Sequence, residues 1–184
     1  IYSMHHSGLG QSMRDLHDDG HVYKATEKDE DHVFRTSIEA LQVMRDMDID
    51  VHDNNPLRNE VAFFDTKHNR VDGFHSMGLF MRHPGLGKII CLVVMECRSE
   101  NTQNGVKFLR LLNSALCDYL GFKKYKFNPR AIMVDAAGFF FRSWSLVFGK
   151  EWLFNGRCVT CAWHFQNDVC RHARKIADEG IRER

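Results

Sequence analysis

Two short apolar runs, each ending in an aspartate, dominate the hydrophobic pattern of the chain. Residues 61–64 lead into Asp65, and residues 131–134 lead into Asp135. Four apolar residues without alternation are typical of a strand buried on both faces, as in the centre of a helix-covered sheet. Two such strands side by side bring both carboxylates to one edge of the sheet, where their repulsion favours a divalent cation between them. Taken alone, each acid is better explained as a strand end or a helix cap.

The stretch after Asp65 predicts the rest of an antiparallel meander. Residues 73–81 form its second strand, residues 83–87 a hairpin loop, and residues 88–96 a third strand with a strongly β-prone, apolar sequence. With the run before Asp65, these segments make a three-stranded meander. Residues 156–163 predict a further strand later in the chain.

Four segments follow the three- and four-residue spacing of amphipathic helices. The first contains Phe34, Ile38, Leu41 and Met44 and ends by Asp50. Its candidate N-terminal caps are Thr26, Asp29 and Asp31. The other three helices are predicted over residues 106–120, with Gly121 at the C′ position, over residues 136–148, and from residue 164 onward.

The element order predicts the α/β class, with a mixed sheet built from a three-stranded antiparallel meander plus two further strands and flanking helices. Adjacency of the first and fourth strands would make this a ribonuclease-H-like arrangement. Residues 1–57 are predicted to be a polar N-terminal segment with one amphipathic helix, and residues 58–184 the sheet domain. The chain starts with Ile1 and stops at Arg184 within a helical pattern, so we expect a fragment truncated at its C-terminus.

Composition narrows the function classes only modestly. The 184 residues are 43% hydrophobic and 27% charged, with a formal net charge of +1, so no strong global field attracts a partner. A nucleic-acid partner would have to bind local basic patches. We expect no membrane segment and no secretory signal. The six cysteines are irregularly placed, which is typical of reduced intracellular thiols.

One basic connector precedes the second apolar run. Its cations are Lys123, Lys124, Lys126 and Arg130, with Tyr125 and Phe127 between them. The connector is explained either as a solvated loop, the favoured interpretation, or as a contact for the phosphates of DNA beside a nucleic-acid site.

Several motifs in order resemble the Mutator-like (MULE) transposase domain. Asn128-Pro129-Arg130 leads the apolar strand to Asp135, an aromatic helix ends in Val147-Phe148, and Cys161-Ala162-Trp163-His164 matches the C-x-x-H signature that this family carries in its next strand. Upstream, Phe63-Phe64-Asp65-Thr66 is similar to the first catalytic block of the family. The resemblance covers about residues 58–178.

The resemblance implies a DDE-type DNA transposase, which cuts DNA phosphodiesters and transfers the freed strand with two Mg²⁺ or Mn²⁺ ions. It implies that Asp65 and Asp135 are catalytic and metal-binding residues, and that Cys161 and His164 pack or position DNA near the metal edge. DNA is then the partner and the nucleus the location, and the resemblance also allows a homo-oligomer. Trp163 is either a base-stacking residue or, as we expect, a buried core residue.

The third acid of the family has no matching position. Glu179 follows the C-x-x-H block too soon, and Glu96 and Glu100 only echo an acidic position at the end of the third strand. We therefore expect the chain as given to bind metal poorly and to be inactive by itself.

Two clusters of soft ligands suggest other metal chemistry, and neither is favoured. Zinc could be imagined on Cys158, Cys161, His164, Cys170 and His172, but a strand points the first two cysteines to opposite faces. The N-terminal histidines His5, His6, His17 and His21 are expected to be solvated. Two alternatives therefore stay open: a domesticated, non-catalytic module derived from a transposase that binds DNA or protein, and an unrelated α/β protein with a small zinc site.

Overall fold

Six strands form a single open mixed sheet in the part of the chain that the computed structural model describes, residues 32–50, 54–71, 73–135 and 138–182. In chain order they are β1 His32–Thr36, β2 Val61–Val71, β3 Phe74–His83, β4 Lys88–Cys97, β5 Ala131–Val134 and β6 Cys158–Thr160. Their order across the sheet is β1-β4-β3-β2-β5-β6. The first four strands pair antiparallel, whereas β5 runs parallel to both β2 and β6.

Four helices of the described chain flank this sheet, three between its strands in the chain and one after the last strand. They are α1 Ile38–Met47, α2 Thr102–Leu120, α3 Gly138–Phe148 and α4 Ala162–Arg182, with short helical turns at Pro56–Asn59, Lys150–Trp152 and Leu153–Arg157. The chain is thus an α/β protein with an open mixed sheet and flanking helices. Among the described residues, no helix combines the length and the apolarity that a bilayer-spanning segment requires.

Most predicted elements are confirmed, with shifted ends. The meander β2–β3–β4 is present, and the first predicted strand lies beside the strand that leads to Asp135. Helix α2 ends where predicted, since Gly121 has the left-handed φ of 70° that a C′ glycine adopts without strain. However, β2 continues to Val71, so Asp65 lies within this strand and not at its end. Strand β6 is only 3 residues long.

The first predicted helix is wrong at its N-terminal end. Phe34, assigned to the helix face, lies in strand β1, which pairs with β4 and forms an edge of the sheet. The helix begins only after Ser37, whose hydroxyl accepts a hydrogen bond of 3.2 Å from the Ala40 N–H as an N-cap. The three candidate caps upstream, Thr26, Asp29 and Asp31, lie outside the described residues, as do the four N-terminal histidines.

A cluster of aromatic rings fixes α2 and α3 on one face of the central strands. Phe64 of β2 contacts Phe108 of α2 edge-on, with ring centroids 5.4 Å apart, and stacks on Phe140 of α3 at 3.9 Å. The two helices can cross closely at Gly105 of α2 because this residue has no side chain. A Cβ at this position would collide with Ser143 of α3. The Ser143 hydroxyl is 3.0 Å from the Thr102 carbonyl oxygen and donates across this crossing. Both helices thus hold the residue immediately before Asp65.

We expect Phe64→Ala to destabilise the protein by about 3–5 kcal/mol, because it removes a ring that is only 3% exposed and leaves a cavity between two helices. Chemical denaturation followed by circular dichroism measures the change. Phe154→Ala is the matched control, since that ring is 82% exposed, and its effect should stay within about 0.5 kcal/mol. Equal losses in the two variants would contradict this account of the core.

Candidate metal site at the carboxyl edge of the sheet

The two predicted aspartates lie on neighbouring parallel strands. The β2–β5 ladder pairs Val61 with Ala131 and ends with Phe64 opposite Val134, so Asp65 and Asp135 are the next residues in the same register. Neighbouring strands in a sheet are about 4.8 Å apart. The two backbones therefore bring both carboxyl groups to the carboxyl edge of the parallel part of the sheet, which is where α/β sheets commonly bind ligands.

The surroundings of Asp65 leave its carboxylate open to solvent. Asp65 is exposed, whereas Phe64 before it is buried, and one of its oxygens accepts a hydrogen bond of 2.9 Å from the Thr66 N–H. On β3 it faces Gly78, which has no side chain to fill the space. A small cavity of about 80 Å³ lies there, lined by Asp65, Lys67, Ser76, Gly78, Phe80 and Val94. The ring of Phe80 covers Gly78 so closely that a Cβ at this position would collide with it.

Helix α4 starts at the same edge, next to Asp135. The Cys161 N–H donates to the Val134 carbonyl oxygen at 2.7 Å, which extends the β5–β6 ladder by one residue beyond Thr160. The Cys161 carbonyl then accepts the first helical hydrogen bond from the Phe165 N–H. The free N–H groups of this first turn carry partial positive charge, which favours negative groups nearby.

The resemblance implied that the C-x-x-H residues lie in a strand, but the structure places them at the start of helix α4. Cys161 precedes the helix, and the half-buried His164 lies in its first turn with an Nδ1 atom that is buried and has no hydrogen-bond partner among the described residues. The expectation that Trp163 is buried in the core is wrong, because this side chain is 66% exposed. Its ring contacts the His164 ring edge-on, with centroids 4.9 Å apart.

Glu96 does not join the aspartate pair. It is 4% exposed on β4, where it accepts hydrogen bonds from Ser76 and, at 2.5 Å, from the Arg35 guanidinium. Its register partner Ser76 lies opposite Lys67, so Glu96 is two strands away from β2. Glu100 lies in the turn before α2, and the side chain of Glu179 is outside the described part. No group of three or more His, Cys, Asp or Glu that could hold a metal ion occurs among the residues described.

The cysteines proposed as zinc ligands are dispersed over β6 and α4. Burial raises the pKa of the half-buried Cys158 thiol to about 11, which disfavours the thiolate that binds metal. Cys170 and His172 lie further along α4 and are exposed. Burial also raises the pKa of the Cys97 thiol on β4 to about 11.

The basic connector lies at the other end of β5. Lys123, Lys124 and Lys126 are exposed, and Arg130 donates a hydrogen bond of 2.5 Å to Asn59 just before β5 starts. Asp135 follows the last residue of β5, so the length of that strand, about 13 Å, separates it from the connector. The structure thus places the two aspartates and the C-x-x-H turn at the same edge of the sheet. The four cations of the basic connector lie at the opposite end of β5, away from this site.

A buried polar network lies at the amino end of β5, the end opposite the two aspartates, which we call the amino edge. No pattern in the sequence predicts this network. Asp48, which follows α1, is fully buried and accepts hydrogen bonds from the Tyr125 hydroxyl and, at 2.9 Å, from the Asn128 N–H. Asn128 in turn accepts a bond of 3.1 Å from the Trp152 indole N–H. An aspartate in the sequence Met-Asp-Ile-Asp gives no hint of burial, because its partners lie about 80 residues away.

Comparisons of the chain with models of protein families, with curated proteins and with solved structures find no significant match.

We expect Tyr125→Phe to cost about 1–3 kcal/mol at pH 8, because it removes a hydrogen bond to the buried Asp48 carboxylate. Burial, followed by the Asp48 hydrogen bond, raises the pKa of Tyr125 far above its ordinary value of 10. The neutral phenol thus stabilises the fold fully below pH 10, and this contribution declines as the pH rises above 10.

Urea denaturation between pH 8.5 and 11 tests the sign of this dependence. The wild-type protein should lose stability above pH 10 more steeply than Tyr125→Phe does. Tyr119→Phe, on α2, is the matched control and should follow the wild-type slope. Parallel curves for the wild type and Tyr125→Phe would show that Tyr125 ionises normally.

Proposed function

We propose that this chain carries part of the catalytic core of a metal-dependent polynucleotidyl transferase of the Mutator-like DDE type. Enzymes of this type cleave DNA phosphodiesters and transfer the freed strand, but this chain is inactive by itself because the third acid has no matching position. The observation that carries the proposal is the adjacency of Asp65 and Asp135 in the register of the parallel strands β2 and β5. Two acids from strands far apart in sequence, just beyond the carboxyl end of the parallel ladder, are an arrangement that suits a shared divalent cation. The proposal includes DNA as partner and the nucleus as location.

The connectivity supports a ribonuclease-H-like sheet within the observed fold. Strands β2, β3 and β4 form the meander, α2 crosses back to β5 beside β2, and α3 leads to β6 on the far side of β5. Strand β1 extends this arrangement beyond the β4 edge. The order of five strands and their directions are compatible with that fold.

The donor set fits Mg²⁺ or Mn²⁺. Asp65 and Asp135 would hold the ions, since carboxylate oxygens are the ligands that these hard cations prefer and neither thiol nor imidazole is needed. Such ions stabilise the attacking and leaving oxygens of an in-line displacement at phosphorus. The protein's own contribution is to fix the two acids on a rigid ladder and to place the partial positive charge of the α4 N-terminus beside Asp135.

A second candidate function is a non-catalytic module of transposase origin that binds DNA or protein. It is favoured by one observation, that the described residues contain no third carboxylate grouped with Asp65 and Asp135. Glu96, which echoes an acidic position of the family at the end of the third strand, is already engaged by Arg35 and Ser76. Such a module would keep the sheet and its edges and would lack DNA cleavage.

The acid pair should bind Mn²⁺ with the low affinity of a site that lacks its third acid, and Asp65→Asn and Asp135→Asn should each weaken this binding at least about tenfold, since each removes one of two ligands. Titration of Mn²⁺ into the protein, with the free ion measured by electron paramagnetic resonance, gives the affinity. In a form of the protein that carries the third acid, both substitutions should also abolish Mn²⁺-dependent DNA cleavage while the protein stays folded.

Asp118→Asn is the control for the change in charge, because Asp118 is exposed on α2 and not at this edge. It should bind Mn²⁺ as the wild type does. If all three variants bind Mn²⁺ equally, or if the wild type does not bind it, the acid pair is not a metal site.

A further inference from the structure

A groove of about 680 Å³ lies at the amino edge of the sheet, away from the aspartate pair. Its lining includes Phe122, Lys124, Tyr125, Lys126, Trp152 and Arg157. Cations and aromatic residues alternate over residues 124–127 of this lining, and such a composition is typical of surfaces that bind unpaired nucleotides. We propose that this groove binds a single strand of nucleic acid, by stacking a base on the exposed ring of Phe122 and pairing phosphates with Lys124 and Lys126.

The alternation arises from the conformation of the connector. Residues 123–130 form neither helix nor a strand of the sheet, and their side chains divide between the interior and the solvent. Phe127 is fully buried, and the Tyr125 hydroxyl donates to Asp48, so these two residues anchor the segment. Lys124 precedes the first anchor and Lys126 lies between the two, and both lysines are exposed. Anchoring by alternate residues thus presents two ammonium groups on the same side.

The cations of the groove have charge available for phosphate. Within the described residues, Lys124 and Lys126 take part in no ion pair. The Arg157 guanidinium donates to the backbone carbonyls of Pro129 and Arg130, so no carboxylate pairs with it directly. The one acid of the groove, Asp50, accepts a hydrogen bond of 2.5 Å from Asn128. The lining of the groove carries three cations and one acid, and Asp50 and the buried Asp48 both act electrostatically on Arg157. The charge available for phosphate therefore lies on Lys124 and Lys126.

The rings are held in place before any ligand arrives. Trp152 stacks under the Arg157 guanidinium at 4.7 Å, lies 4.8 Å from the Trp144 ring, and donates its indole N–H to Asn128. Phe122 is different, because its ring is 51% exposed and contacts Tyr125 at 6.1 Å. It therefore offers a free aromatic face beside Lys124. Ordering these groups in advance lowers the entropic cost of binding.

A single strand fits these features better than a duplex does. Stacking on Phe122 requires a base that is not already stacked and paired within a helix. The groove lies at the amino end of β5, whereas Asp65 and Asp135 lie beyond its carboxyl end. Binding there needs no metal ion and is independent of the proposed catalysis.

Fluorescence anisotropy with a labelled 12-nucleotide single strand in EDTA tests the proposal, at several salt concentrations. The Lys124→Gln/Lys126→Gln double variant should bind more weakly, and its slope of log K against log salt should be less negative by about 1.4, since each lost phosphate contact to a single strand changes the slope by about 0.7. Phe122→Ala should weaken binding about tenfold and leave the slope unchanged, because a ring stacks but releases no counterion.

Lys88→Gln is the charge control, since Lys88 is exposed at the start of β4, three strands away from β5, and should keep the wild-type slope. Asp65→Asn should leave binding intact, so failure of the metal site and failure of the groove are distinguishable. The proposal is overturned if the wild type does not bind the strand, if the double variant behaves as Lys88→Gln does, or if a duplex or adenosine monophosphate binds as tightly. Circular dichroism verifies that each variant is folded.

Discussion

The parallel ladder between β2 and β5 is the constraint on which the rest of the structure depends. Its strands start about 70 residues apart in the chain, and it contains only four residue pairs. Parallel pairing requires a crossover, here through α2, and the ladder alone repays little of the loop-closure entropy. Burial of Phe64 against Phe108 and Phe140 supplies what the hydrogen bonds do not. A slip of one residue would expose these rings and turn Asp65 toward the helices, so packing of the core also selects the register of the acids.

Strand β5 separates two chemically different edges of the sheet. Beyond Val134 lie the acids and the positive end of α4, and before Ala131 lie exposed lysines and aromatic rings. A net charge of +1 conceals this separation, because the 25 basic and 24 acidic residues of the whole chain nearly cancel in the sum. Exposed charges about 13 Å apart lie beyond the Debye length at physiological salt. Each edge therefore presents its own field to a ligand.

The sequence predicted the elements whose pattern is local. Helix α2 shows its apolar stripe and its terminal glycine, and the β-prone runs predict the meander. Strand β1 was missed because Phe34 fits the helical spacing of Ile38 and Leu41, and only pairing with β4 decides in favour of a strand. Trp163 was misplaced for a related reason, since the residue type indicates burial but the start of α4 leaves it exposed. The adjacency of Asp65 and Asp135 was predicted because each follows a strongly apolar run, which is a local signal.

Asp48 illustrates the part of the structure that no local sequence pattern predicts. Its carboxylate is fully buried, and leaving such a group without partners costs more than an ordinary hydrogen bond gains. Its partners come from the connector before β5, where the Ile49 N–H also donates to the Asn128 carbonyl oxygen at 3.1 Å. The end of α1 is thereby fixed to the start of β5. Because this attachment sets both the floor of the groove and the point where β5 enters the sheet, one buried acid helps to position both edges.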